Sequence, residues 1–145
     1  MSDELTVVGV MRSQMASVWP FASGILKPVV ERSRGHLTME FLADRLLDGV
    51  YQLFLAVRGD RPESALVTTI ETKIATGKKA LSIVAAGGTD ARGWLLWLPA
   101  LAQWAKAQDC EELYFDGRKG WEKILAGSGF NEVSRRFAKD LEGVK

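Results

Sequence analysis

Apolar residues recur along this chain with two periods, and the switch between them predicts an ordered series of helices and strands. Over 17–31 they fall at Val18, Trp19, Ala22, Ile25, Leu26, Val29 and Val30, the spacing of one helical face, with Ser17 as a cap and Pro20 in the first turn. Pro28 is expected to bend or end that helix. A second helix is predicted over 39–48: Thr38 caps it, Leu37 and Leu42 sit at staple positions, Glu40 lies in the first turn and Gly49 just past the end. Phe41, Leu42 and Leu46 form its inward face. The longest stripe, Trp94, Trp97, Leu98, Leu101, Trp104 and Ala105, predicts a helix over 89–108. Pro99 interrupts it and is expected to kink it, at about 3 kcal/mol unless the context relieves the cost.

Elsewhere the pattern is that of strands. Residues 5–10 read as an edge strand, and 50–57, 65–73 and 80–86, rich in β-branched and aromatic residues, as three antiparallel strands in series with breaks at 58–62 and 76–78. Val67, Thr69 and Glu71 share one face of the middle strand and Leu66, Thr68 and Ile70 the other, one face covered and one wetter. A strand over 111–115, a short helix over 122–127 stopped by Gly127 and Gly129, and a last strand over 133–141 complete the series. Strand 80–86, the Gly87-Gly88 break, the long helix and strand 111–115 make a βαβ unit, so those two strands are expected side by side with the helix on one face. The glycine break is the expected binding locus, because a helix N-terminus there offers unpaired N–H groups to an anion.

Composition narrows the classes. A chain of 145 residues suits one domain, 1–145, with a core that needs neither disulfide nor metal. The net charge of +1 gives no electrostatic case for nucleic acid or an anionic membrane. Cys110 and His36, each the sole residue of its type, leave a metal site almost without ligands. No segment has the apolar length of a membrane span or the pattern of a leader, so the reducing cytoplasm is the expected compartment.

The order strand, two helices, three antiparallel strands, long helix, strand, short helix ending in Gly-Phe, strand, with the strings KKALSIVAAGG, LLWLPALAQWAKAQDCEELYFDGRKGWEKILAGSGF and RRFAKDL, resembles the GNAT superfamily of acyl-CoA-dependent N-acyltransferases. More narrowly it resembles the small GNAT-like proteins of tailed bacteriophages, often encoded among virion genes. The resemblance implies an α/β fold with a mixed, twisted sheet of about six to seven strands, helices on both faces, and a split between the fourth and fifth strands. It implies acetyl-CoA or CoA as cofactor, its pyrophosphate on main-chain N–H groups of a Gln/Arg-x-x-Gly-x-Gly/Ala loop. The matching junction here carries Gly87, Gly88 and Arg92 at a different spacing, and Asp90 would compete with a phosphate at the helix start. The family's tyrosine, a general acid four residues before the glycine of Gly-Phe, falls on Leu125, and its asparagine on Arg118. With no carboxylate in strand 80–86, Glu71 is the nearest acid and Tyr114 the nearby phenol that stand as catalytic candidates.

Each feature has a plainer meaning. Gly87 and Gly88 are an anion cradle or a tight turn needing positive φ; Trp94, Trp97 and Trp104 are a stacking box or, more often, a core stripe. Arg118, Lys119 and Trp121, between Gly117 and Gly120, either hold an anion or begin a helix with solvated charges. His36 reads as a loop residue near a cleft, Cys110 as a small apolar strand residue, and Arg135, Arg136 and Lys139 as a contact face or the wet side of a strand. Three functions follow: a phage GNAT-like protein with a degenerate acyl-CoA site that binds protein partners, among them other phage structural proteins, in the host cytoplasm or the virion; an acetyl-CoA-dependent N-acyltransferase of atypical site; or a small-anion-binding module at 118–121.

Overall fold

The structure, a computed structural model, describes residues 5–88, 91–116, 125 and 127–145, with the main chain alone at 91–96. In chain order it contains β1 (Leu5–Gly9), a single 3-10 turn (Arg12–Gln14), α1 (Met15–Glu31), α2 (Met39–Leu47), β2 (Tyr51–Arg58), β3 (Arg61–Thr72), β4 (Lys79–Gly88), α3 (Ala91–Ala107) and β5 (Cys110–Phe115).

Local chemistry fixes the element ends. The Thr38 hydroxyl accepts the Phe41 N–H at 3.0 Å, which satisfies one orphan donor of α2 as its sequence predicts. Gly49 closes the same helix at φ +83°, a conformation that an L side chain resists. Pro28 does not end the helix: α1 runs on to Glu31, because a proline forfeits one bond while Val29 and Val30 beyond it pack on the core. α3 likewise carries Pro99, an exposed residue, within its length.

The strands form one sheet in the order β1-β2-β3-β4-β5, antiparallel throughout except for the parallel β4–β5 pair, with α1 and α2 on one face and α3 on the other. Below α1 and α2, Leu26, Leu42 and Leu46 pack on Leu53, Leu55, Ala65 and Val67. Below α3, Trp97, Leu98, Leu101 and Ala105 pack on Phe54, Leu66, Leu81 and Ile83. Trp97 is 1% exposed and Trp104 meets Phe54 edge to face at 5.1 Å, so both belong to the core stripe. The side chain of Trp94 lies outside the described residues.

Three expectations change. The middle strand has no wetter face over residues 64–68, which are buried with helices on both sides of the sheet. Phe41, expected inward, is 43% exposed: it lies edge-on to Tyr51, with the Arg45 guanidinium over its ring. Residues 130–141 carry no regular secondary structure, so the sheet has five strands among the described residues rather than six or seven. A segment read alone names no edge for it to pair with, and here Arg135 bonds locally to Glu132 at 2.7 Å. The predicted helix over 122–127 falls largely outside the described residues.

Candidate functional site

β4 runs on past the last residue of β5, and this step at the sheet edge is the candidate gap among the described residues. β4 pairs with β5 from Lys79 opposite Cys110 to Ile83 opposite Phe115, and residues 84–88 continue without a β5 partner. The pairing stops at Phe115, the last residue of β5; on the other side of β4, Val67 faces Ala85 and Thr68 faces Ile83, which leaves Val84 as an extra residue. Such a bulge bends its strand and tightens the twist. It also places Val84 and Ala85, consecutive residues, on the α1 side of the sheet.

The two glycines at the far end of β4 are set by packing. A β-carbon on Gly87 would stand 2.6 Å from the Ile25 carbonyl oxygen and 3.3 Å from Val29, so the main chain there runs directly beneath α1. Gly88, exposed at φ +150°, would drive a β-carbon to 2.7 Å from that of Ser64 on the adjoining strand. Gly88 therefore offers bare main chain to a ligand, while the Gly87 backbone is covered. Ser64, a buried hydroxyl residue beside Gly88, escapes sequence reading because only the β3–β4 register brings the two together.

Glu71 and Tyr114 are not brought to the gap together. Glu71 is exposed and sits opposite Ala80, at the closed end of the β4–β5 pair. Tyr114 lies opposite Ser82, one residue before the end of β5, and donates its hydroxyl to the Glu112 carboxylate at 3.0 Å. That bond to an anion pushes the phenol above its ordinary range and keeps its proton in place. Arg92 lies in the first turn of α3 with its side chain outside the described residues, and Arg118, with Lys119 and Trp121, lies outside them altogether. Val84, Ala85, Ala86, Gly87 and Gly88 give this part of the gap an uncharged wall.

The remaining titratable groups follow their surroundings. Burial pushes the half-buried Cys110 thiol up, so it stays protonated, as a small apolar residue should. His36 lies in the loop after α1, its N–H donating to the Ser33 carbonyl. No group of three or more potential metal ligands occurs among the described residues, and no helix there is long and apolar enough to cross a membrane.

No protein-family model matches the chain, and no curated protein does. Solved structures do. Over 94% of this chain and 98% of its own length, glucosamine-6-phosphate N-acetyltransferase from Arabidopsis thaliana superposes with a TM-score of 0.66 at 15% identity. A GNAT family acetyltransferase from Staphylococcus aureus matches 97% of this chain over 100% of its own, with TM-score 0.63 and 14% identity. A structure described as a probable acetyltransferase matches 93% over 97%, with TM-score 0.70 and 13% identity. Likeness of this kind speaks for architecture, and with the mixed sheet and its parallel β4–β5 pair it shows that this chain has the fold of the GNAT acetyltransferases.

Proposed function

We propose that this chain is a GNAT-fold binding protein rather than a catalyst of acyl transfer. The observation that carries the reading is the separation of Glu71 from the gap: the candidate base is at the closed end of β4, and the wall formed by residues 84–88 has no titratable side chain. The candidate acid, Tyr114, has its hydroxyl engaged by Glu112. A general base must come within hydrogen-bond reach of the proton it takes, directly or through one water, and this arrangement favours neither.

The gap and the exposed main chain of Gly88 favour retention of a slender ligand of CoA type, with Gly87, Gly88, Arg92 and Arg118 as its sequence-derived phosphate partners. Gly87 fits that role least, since α1 covers it. The resemblance to small phage proteins supports a protein partner in a particle or its assembly, and the host cytoplasm or the virion as the place of action. An acetyl-CoA-dependent N-acyltransferase is the second reading. It is favoured by the gap itself, because holding an amine and a thioester together supplies rate without any single acid or base.

Two measurements on the purified full-length chain decide. Calorimetry with acetyl-CoA reads binding, and CoA release over a panel of amines, including peptide amino termini and lysines, reads turnover. Absence of release across the panel is the expected result; steady release with any amine overturns the reading and establishes the second. Detection of the chain by mass spectrometry of purified phage particles tests the partner.

A further inference from the structure

At the closed end of the gap, one ammonium holds two consecutive carboxylates. Lys73 follows β3 in the turn before β4, and its Nζ donates to Glu111 Oε1 at 2.6 Å and to Glu112 Oε1. Consecutive side chains of a regular strand point to opposite faces, so one lysine cannot ordinarily grip both. Here it can because β5 carries an extra residue: Lys79 faces Cys110 and Ala80 faces Glu112, which leaves Glu111 unpaired and re-aimed. The Tyr114 hydroxyl completes the group on Glu112, and Lys78 Nζ stands 3.6 Å from Glu111. The lysine itself is set by a tight turn in which the Lys73 N–H donates to the Lys78 carbonyl and the Gly77 N–H to the Lys73 carbonyl, both at 2.7 Å.

We infer that Lys73, Glu111, Glu112 and Tyr114 form an acid-sensitive latch that fastens the bulged start of β5 to the β3–β4 turn and so holds the closed end of the gap. β5 is an edge strand, joined to the sheet by β4 alone and covered by α3, and the latch ties it to the β3–β4 turn, with the longer Lys78–Glu111 pair beside it. Other charges face the group: Lys79 of β4 and Asp109 act on neighbouring Cys110, and Lys106 of α3 shares an open groove with Glu111 and Glu112. Of all these, the two glutamates are the groups the latch needs as anions and loses on acidification. Protonating them removes both negative charges from Lys73, weakening the charge-assisted bonds, and leaves β2, β3 and the helical cores untouched. β5 then loosens ahead of the rest of the sheet. The latch is independent of what the gap binds.

Hydrogen exchange of the full-length chain, expressed as protection factors from neutral pH down through the carboxylate range, tests it. The expected result is a several-fold loss of protection in Cys110–Phe115 while Tyr51–Arg58 and residues 64–68 keep theirs. Lys73→Met is expected to show the lowered β5 protection already at neutral pH and no further fall on acidification, with Lys73→Arg restoring both. Tyr114→Phe, which keeps the ring, is expected to give a partial loss. Parallel loss in β3 and β5 overturns the inference, as does Lys73→Met retaining the acid-dependent fall.

Discussion

The main chain of Gly87 and the carbonyl of Ile25 are in contact distance of one another across the α1–β4 interface, with no room for a methyl group between them. A β-carbon at 87 would come 2.6 Å from that oxygen, which belongs to helix backbone and cannot rotate away. Gly87→Ala is therefore expected to destabilise by about 1–3 kcal/mol, the usual cost of overpacking. A chain of this length loses about 2–4 °C in Tm per kcal/mol, so thermal unfolding followed by circular dichroism reads the effect directly.

Thr38→Ala removes the acceptor of the Phe41 N–H at the start of α2. Loss of about 1 kcal/mol is expected from urea denaturation, with Thr38→Ser retaining most of the stability.

The ion group around Lys73 makes stability depend on pH at both limbs. Hydrogen bonding to Lys73 holds Glu111 and Glu112 below the ordinary carboxylate range, so their contribution is complete above it and lost as pH falls through their folded values. Lys73 is pushed upward by the same two carboxylates and Tyr114 by Glu112, so their contribution is complete below their ordinary values and lost as pH rises through the folded ones. The urea midpoint of the unmodified chain minus that of Lys73→Met is therefore expected to be flat from about pH 5 to about pH 9 and to shrink on either side. Added salt is expected to reduce the plateau, since all of these groups are reached by solvent.

Glu71→Gln changes an exposed carboxylate at the end of β3 remote from residues 84–88. Stability is expected to stay within about 0.5 kcal/mol, and calorimetry with acetyl-CoA is expected to give the same affinity as the unmodified chain. A marked loss of affinity would tie Glu71 to the gap after all.

Much of the fold was legible because local chemistry decides it. Thr38 and Gly49 mark the ends of α2 through bonds made within a few residues, and the stripe Trp97, Leu98, Leu101, Ala105 needs only the helical period to find its core. The misreadings share a different cause. That residues 64–68 are covered on both faces depends on α1 and α3, distant in sequence, and the exposure of Phe41 depends on which neighbour reaches α2 first. Residues 133–141 place Val133, Phe137 and Leu141 four apart, a spacing that does not mark a strand, and pairing is in any case a property of two segments that one of them cannot announce.

The candidate site was legible only in outline. The Gly87-Gly88 break marks the end of β4, but the reasons for each glycine, Ile25 above one and Ser64 beside the other, come from the assembled sheet. Glu71 and Tyr114 were chosen as the acid and phenol nearest the break in the strand order, and the register sets one opposite Ala80 and the other opposite Ser82. One signal for the bulge in β4 was present and went unused: Val84 and Ala85 are consecutive apolar residues where strict alternation would change sides.

That surplus residue makes the bend of β4 a matter of counting rather than of chemistry. Exchanging Val84 for another β-branched residue leaves the count intact, whereas deleting it would let β3 and β4 march in step along their whole shared length. In a lineage of such chains, gains and losses of single residues at this point would govern whether the strand kinks at all, long before any side chain along it mattered.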